Sequence, residues 1–149
     1  LETSLSRVWA AGDVAEYFDV LLDEYRIVSN WTNAFLQGRV AGANMAAQHD
    51  KKTELRAVSS YSINSFGHQL TFVGKTSPTD GVESIVRTWP DNPSAYERLF
   101  LKAGRLQGAV LMNRFQDKAV ISSLISSKKE FVSAKDSLQD PYVDISSLV

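Results

Sequence analysis

Hydrophobic and polar residues follow two different periods along this chain of 149 residues. Over residues 31–48, apolar and small residues recur at helical spacing, which predicts an α-helix with its N-cap at Ser29 or Asn30. Phe35 and Met45 are expected to be core residues, and two glycines on the same face should allow a neighbouring backbone to approach closely. The predicted buried face comprises Trp31, Ala34, Phe35, Gly38, Ala41, Gly42 and Met45.

Beyond residue 54, apolar and polar residues alternate, which is the period of β-strands. Turns at Gly67-His68 and around Gly104 separate strands that would pair as antiparallel neighbours. A further apolar stripe predicts a helix that begins at Gln116 or Asp117 and covers one face of the sheet. The predicted fold class is therefore α+β, an antiparallel sheet of about five strands with helical cover. The strands are expected at residues 55–63, 70–74, 82–88, 96–101 and 106–112.

The first thirteen residues carry a different signal. Residues 8–11 predict a short buried strand that ends at Gly12-Asp13. In open α/β sheets ligands lie just past the carboxyl ends of strands, and a carboxylate there can accept hydrogen bonds from vicinal sugar hydroxyls. The alternative is an ordinary Gly-Asp turn. Residues 14–28 favour either a helical turn or a hairpin, and residues 130–149 either a short helix or an extended tail.

Composition excludes several classes of function. The chain has no cysteine, which excludes a disulfide framework, a thiolate metal site and a redox-active cysteine pair within it. A reducing compartment fits this composition, and we predict a cytoplasmic location. The net charge of −1, without a basic run, argues against nucleic acid as a partner, and no apolar run is long enough to predict a membrane span. His49 and His68 are predicted to be surface residues and the pair Asp19 and Asp23 a solvated face, so no metal ligand or catalytic residue is assigned.

The beginning of the chain resembles a known flavin-binding motif. Thr3, followed by two apolar residues and Ala-Gly-Asp at the right spacing, is similar to the second flavin motif of the FAD-dependent pyridine nucleotide-disulfide oxidoreductase family. In that family the aspartate holds the ribityl chain of FAD. The resemblance therefore assigns Asp13 to the flavin, with Gly12 allowing close approach.

Two later stretches extend the resemblance. Residues 31–46 have the family's aromatic residue, Gln-Gly-Arg, Ala-Gly and Asn-Met, and in the family this helix start faces the pyrimidine edge of the flavin. The resemblance assigns Asn30 and Trp31 to that contact. Residues 100–110 resemble a hairpin of the C-terminal domain in the rubredoxin reductase and nitrite reductase-like branches.

The family's other cofactor motifs are absent from this sequence. No three of its eight glycines have the Gly-x-Gly-x-x-Gly spacing that cradles a pyrophosphate. Because the chain opens at Leu1 inside the first motif, we expect a C-terminal fragment of an FAD-dependent NAD(P)H oxidoreductase that supplies part of the flavin site and is not catalytic alone. The expected partners are the rest of the same polypeptide, a second copy in a homodimer, and an electron acceptor that is a protein or a small molecule.

The polar run of residues 49–53 is the predicted domain boundary. Residues 1–50 would be the closing piece of the FAD-binding domain, a strand-plus-helix segment, and residues 51–149 an interface or dimerisation-like α+β domain. The alternative function is a cofactor-free module for protein binding or dimerisation. In that case the sheet of residues 54–113 carries the function, and the apolar face of the first helix seeks a partner.

Overall fold

The computed structural model describes residues 1–48, 51–131 and 135–148, and the chain divides into two compact units. The first unit is Leu1–Ser59 and the second is Ser60–Val149. This division falls later than the predicted boundary after residue 50, because residues 51–59 bond to the first unit: the backbone of Thr53 pairs with the Asn44 side chain. His49 lies outside the described residues.

The first unit contains a hairpin and one long helix. Strands β1 (Tyr17–Asp19) and β2 (Glu24–Arg26) pair antiparallel. Residues 14–28 therefore contain a hairpin, which was one of the two predicted alternatives. Helix α1 (Trp31–Ala46) follows, and the side-chain oxygen of Asn30 accepts a hydrogen bond from the amide of Asn33 at 2.9 Å. Of the two predicted N-caps, Asn30 is therefore the one used.

The predicted buried face of α1 is wrong. Except for Ala41, the buried residues of the helix are polar, and they are Asn33, Gln37 and Asn44. Trp31, Phe35 and Met45 are exposed, Trp31 to 79%. Among the described residues, no atom lies within 4 Å of the position that a Cβ would take at either helix glycine, so the expected close backbone approach is not found either. The polar face turns inward because its amide groups bond to loops of the same unit.

The predicted buried strand over residues 8–11 is also wrong. Trp9 makes one isolated antiparallel bridge to Glu2, and Val8 is exposed. A buried strand needs neighbouring strands, and the described part of the chain supplies none there. Instead, Lys52 places its ammonium 4.9 Å from the centre of the Trp9 ring and pairs with Glu2 at 2.7 Å.

The second unit confirms the predicted α+β fold. All neighbouring strands pair antiparallel in the order β3-β4-β7-β6-β5. The β6–β7 turn has positive φ at both Ala103 and Gly104, as a two-residue hairpin turn requires. The strands are β3 (Ser60–Ser65), β4 (His68–Gly74), β5 (Val82–Trp89), β6 (Asn92–Lys102) and β7 (Arg105–Met112).

Helices cover one face of this sheet. The predicted stripe consists of Val120, Ile121, Leu124 and Ile125, and helix α2 (Lys118–Ser127) buries the last three of them. Helix α3 (Lys135–Gln139) buries Leu138, and a 3-10 turn over Ile145–Leu148 follows. The described part of residues 130–149 therefore contains the short helix that was one of the two alternatives. Within the described ranges, no helix is long and apolar enough to cross a bilayer.

Two backbone segments approach each other closely at the end of β4, where Gly74 and Lys75 lie against Gln107 and Gly108 of β7. A side chain at Gly108 would overlap the backbone of Lys75, and one at Gly74 would overlap the carbonyl oxygen of Gln107. Gly74 also has a φ of +68°, which disfavours any residue with a Cβ.

Gly108→Ala should therefore destabilise the protein by about 1–3 kcal/mol, because the backbone of Lys75 must move to admit a methyl group. Gly38→Ala is the matched control: its Cβ position is open, and alanine in a helix interior gains about 1 kcal/mol over glycine. Urea unfolding followed by circular dichroism measures both. Equal stability of the two variants would contradict the close approach.

Candidate functional site

The predicted flavin residues Gly12 and Asp13 lie beside the start of α1. Gly12 has a φ of +87°, and its Cβ position is 3.7 Å from the Cβ of Ala34 in the first helical turn. Its amide donates to the side-chain oxygen of the fully buried Gln37 at 2.6 Å. Asp13, the next residue, is exposed. The loop is thus pinned to the helix at Gly12, and the following carboxylate faces solvent.

Asn30 acts as part of the scaffold at this helix start. Its side-chain oxygen accepts from the amide of Asn33, and its Nδ2 donates to the hydroxyl of Ser59 at 2.8 Å. The carbonyl of Asn30 accepts from the amide of Ala34 at 3.0 Å. The amides of the first two helical residues are left for water or a ligand, because a helix has no internal acceptor for them. They lie at the positive end of the helix dipole, which favours an anionic or electron-rich group.

Trp31 is the largest exposed side chain at the helix start. Its ring stacks on Phe35, with centroids 5.6 Å apart and planes at 10°. The guanidinium of Arg39 lies 5.9 Å from the centre of the Phe35 ring. This aromatic pair is a flat, solvent-facing surface on the same helix that Gly12 contacts.

The structure therefore brings three of the four predicted residues to one place, with Asp13 adjoining them. Sequence reasoning missed Gln37 and Asn33, which fix the loops on either side of the hairpin: Asn33 donates to the carbonyl of Val28 at 3.0 Å. Their signal in the sequence is a polar stripe at helical spacing, but such a stripe usually indicates a solvated face.

Asp19 was predicted to belong to a solvated face, and this is wrong. It is buried, pairs with Arg26 at 3.3 Å and accepts from the amide of Leu21 at 3.0 Å. Burial, and then the charge of Asp19, raise the pKa of the neighbouring Tyr17, while Arg26 partly offsets this. The ion pair of Asp19 with Arg26 closes the hairpin, and the buried Asp19 carboxylate is not available as an exposed acid.

The second unit holds a buried ionic cluster. The carboxylate of Glu97 is fully buried, and it pairs with Arg87 at 2.9 Å and with Arg114 at 3.7 Å. Burial, followed by a hydrogen bond with Asp117, raises the pKa of Glu97 from 4.5 to about 7, although both arginines lower it. The Arg114 guanidinium also lies 4.3 Å from the centre of the Trp89 ring.

The contacts of this cluster indicate a structural role. The Nη2 of Arg87 donates to the carbonyls of Asp140, Pro141 and Val143 at 2.8 to 3.1 Å. The cluster therefore fastens the C-terminal segment to the sheet. No group of three or more histidine, cysteine or acidic residues among the described residues could hold a metal ion. His68 places its Nδ1 3.1 Å from the side-chain amide of Asn113.

Comparison with known proteins identifies the class of proteins that share this fold. The protein called Fdr9 has a TM-score of 0.80 and 21% identity over 97% of this chain and 36% of its own. A covalent putidaredoxin reductase–putidaredoxin complex has a TM-score of 0.64 and 19% identity over 79% of this chain and 27% of that one. Subunit epsilon of the NADH-dependent phenylglyoxylate dehydrogenase of Aromatoleum evansii is 28% identical over 125 residues, or 84% of this chain and 30% of the relative.

The fold is thus that of the C-terminal part of NAD(P)H-dependent reductases. Residues 60–129 match the family described as the rubredoxin NAD+ reductase C-terminal domain. Over these residues the chain is similar to that family, and the resemblance to the C-terminal portion of the pyridine nucleotide-disulfide oxidoreductases is confirmed. The chain spans about a third of the length of these relatives.

Gln37→Leu should destabilise the first unit by about 1–3 kcal/mol, because it leaves the amide of Gly12 without its acceptor. Gln48→Leu, at an exposed position beyond the same helix, is the control and should change stability little. Hydrogen exchange of the Gly12 amide measures the effect locally, and it should become faster only in the Gln37 variant. Unchanged exchange would contradict the proposed anchoring of the loop.

The stability of the second unit should depend on the protonation of Glu97. A carboxyl whose pKa is raised on folding contributes stability that is fully present below pH 4.5 and lost as the pH rises through about 7. A shift of this size corresponds to about 3 kcal/mol. Relative to Glu97→Gln, the wild type should therefore lose stability between pH 5 and pH 8, measured by urea unfolding at both values. Parallel pH dependence of the two proteins would show that Glu97 does not titrate in this range.

Proposed function

We propose that this chain is the C-terminal part of an FAD-dependent NAD(P)H oxidoreductase. Residues of the first unit would form one rim of the flavin site, and the second unit would be the interface domain. The chain would not catalyse hydride transfer alone, because its sequence contains neither of the Gly-rich loops that bind the pyrophosphates of FAD and NAD(P)H. The match of residues 60–129 to the reductase domain family supports this proposal.

The observation that carries the proposal is the contact between Gly12 and the first turn of α1. It sets an exposed carboxylate, that of Asp13, next to a helix start whose first amides have no internal acceptor. A sugar-alcohol chain offers hydroxyl donors to such a carboxylate, and an electron-rich ring edge suits the amides. The residues present therefore fit one edge of a flavin.

Each site residue has its own task in this arrangement. Bound FAD would supply the hydride and electron chemistry. Asp13 would accept hydrogen bonds from the ribityl hydroxyls, and Gly12 would keep the loop free of side-chain bulk. Asn30 would position the helix start through its capping bonds rather than contact the flavin with its side chain. Trp31 would cover the ring edge and exclude water.

The partners follow from the same proposal. The rest of the same polypeptide would supply the other rim of the flavin site and the NAD(P)H site. The electron acceptor is a separate protein or a small molecule, and the solved complex of putidaredoxin reductase with putidaredoxin supports a protein acceptor. A cytoplasmic location stays a prediction.

The second candidate function is a cofactor-free module that binds a protein partner. The exposed stripe of Trp31, Phe35 and Met45 favours it, because monomeric proteins rarely leave such large apolar side chains together in solvent. Under the first proposal, the remainder of the flavoprotein would pack on α1 and cover the same three side chains. Flavin content separates the two candidates.

In the full-length gene product, Asp13→Ala should weaken FAD binding about 10- to 100-fold, because hydrogen bonds to a charged group contribute about 1.5–3 kcal/mol each. Titration of the apoprotein with FAD, followed by visible absorbance, measures this change. Asp80→Ala, which removes an exposed loop carboxylate of the second unit, is the control and should bind FAD like the wild type. A full-length protein without flavin would exclude the proposed function, and equal affinity of both variants would exclude the role of Asp13.

A further inference from the structure

Two buried amide side chains of α1 each have one atom without a hydrogen-bond partner. Asn33 is 1% exposed and Gln37 is fully buried. Among the described residues, no protein group bonds to Oδ1 of Asn33 or to Nε2 of Gln37. A buried amide atom that has lost water without gaining another partner is costly, so folded proteins rarely contain one. These two atoms therefore point to a bound molecule.

Backbone partners fix the orientation of both amides. The Asn33 side chain bonds to the carbonyl oxygen of Val28, which only accepts, so the bonded atom must be the nitrogen. The Gln37 side chain bonds to the backbone amide of Gly12, which only donates, so the bonded atom must be the oxygen. Turning either amide over would break its bond. The two remaining atoms are therefore one acceptor, on Asn33, and one donor, on Gln37.

The acceptor and the donor lie one helical turn apart. Residues four apart share a face of a helix, with Cβ atoms about 5–6 Å from each other. The two atoms do not bond to each other, but two hydrogen bonds of about 2.8 Å through one small molecule span a gap of this size. Both atoms are also buried within this chain, so a group from outside cannot reach them without displacing packed residues.

We propose that one buried water molecule is bound between Asn33 and Gln37, where it donates to Oδ1 of Asn33 and accepts from Nε2 of Gln37. A cation would meet the N–H donor, an anion would meet the acceptor oxygen, and an apolar molecule would satisfy neither atom. Water is a small neutral molecule that donates and accepts at once, and buried waters typically bond to polar groups that the protein leaves unpaired. The inference does not depend on the flavin site.

The water would complete a chain of hydrogen bonds along the inner face of α1. The chain runs from the carbonyl of Val28 through Asn33, the water and Gln37 to the amide of Gly12. Hydrogen bonds in such a chain polarise and strengthen one another. The segment before the helix and the glycine loop are thereby connected through the helix.

A crystal structure of the full-length gene product, at a resolution that shows ordered water, tests the proposal directly. One water should lie within about 3.2 Å of both Oδ1 of Asn33 and Nε2 of Gln37. Three results would each overturn the proposal: a direct bond between the two side chains, a protein atom from the remainder of the polypeptide bonded to either of them, or no density between them.

Nuclear Overhauser effects between water and side-chain amide protons test the same site in solution, at a slightly acidic pH where hydrogen exchange is slow. The NH2 group of Gln37 should show a cross-peak to water with the sign expected of a long-lived bound molecule. Gln48 is exposed and is the matched control in the same protein, because surface water leaves it rapidly. Equal signals from Gln37 and Gln48 would contradict a bound water.

Two variants isolate the bridging oxygen of Asn33. Asn33→Asp and Asn33→Leu are both close to asparagine in size and both lose the bond to Val28, but only aspartate keeps an oxygen to receive the water. The water cross-peak of Gln37 should persist in the aspartate variant and disappear in the leucine variant. Its persistence in a folded leucine variant, with folding established by circular dichroism, would overturn the proposal. The crystal structure and the wild-type spectrum decide the question if a variant does not fold.

Discussion

The first unit depends on amide side chains that project from the inner face of α1. Gln37 holds the amide of Gly12, Asn33 holds the carbonyl of Val28, and Asn44 holds both backbone groups of Thr53. The apolar cluster of this unit is small, with Tyr17, Val28 and Leu55 at its centre. A hydrogen bond contributes about 1 kcal/mol net, but a buried group that loses its partner costs more. The loops therefore stay where these amides place them.

The inward orientation of the polar face of α1 links the stability of the first unit to the candidate flavin site. With its polar face directed inward, the helix fixes the glycine loop, and the amides of its first two residues have no acceptor within the helix. The aromatic pair of Trp31 and Phe35 consequently faces outward, next to the loop that the helix holds. One helix thus anchors the surrounding loops on one side and exposes a stacked aromatic pair on the other.

Local chemistry made much of this structure predictable. The cap at Asn30, the turn at Gly104 and the apolar stripe of α2 each act within a few residues, and each was predicted from the sequence. The errors concern contacts between distant residues. Nothing near Gln37 shows that it will bond to Gly12, and an apolar run such as residues 8–11 becomes a strand only if a partner strand is present. The assignment of Gly12, Asp13, Asn30 and Trp31 to a flavin stays a prediction, and it depends on the family resemblance because local chemistry carries no such long-range information.

The clamp formed by Arg87 has a consequence for how the second unit comes apart. One guanidinium joins the carboxylate of Glu97 to three carbonyls near the C-terminus. The terminal segment cannot peel away without stripping a buried charge of its ligands, which is costly. Opening of residues 140–143 is therefore expected to be coupled to unfolding of the second unit, so that this segment belongs to its cooperative core.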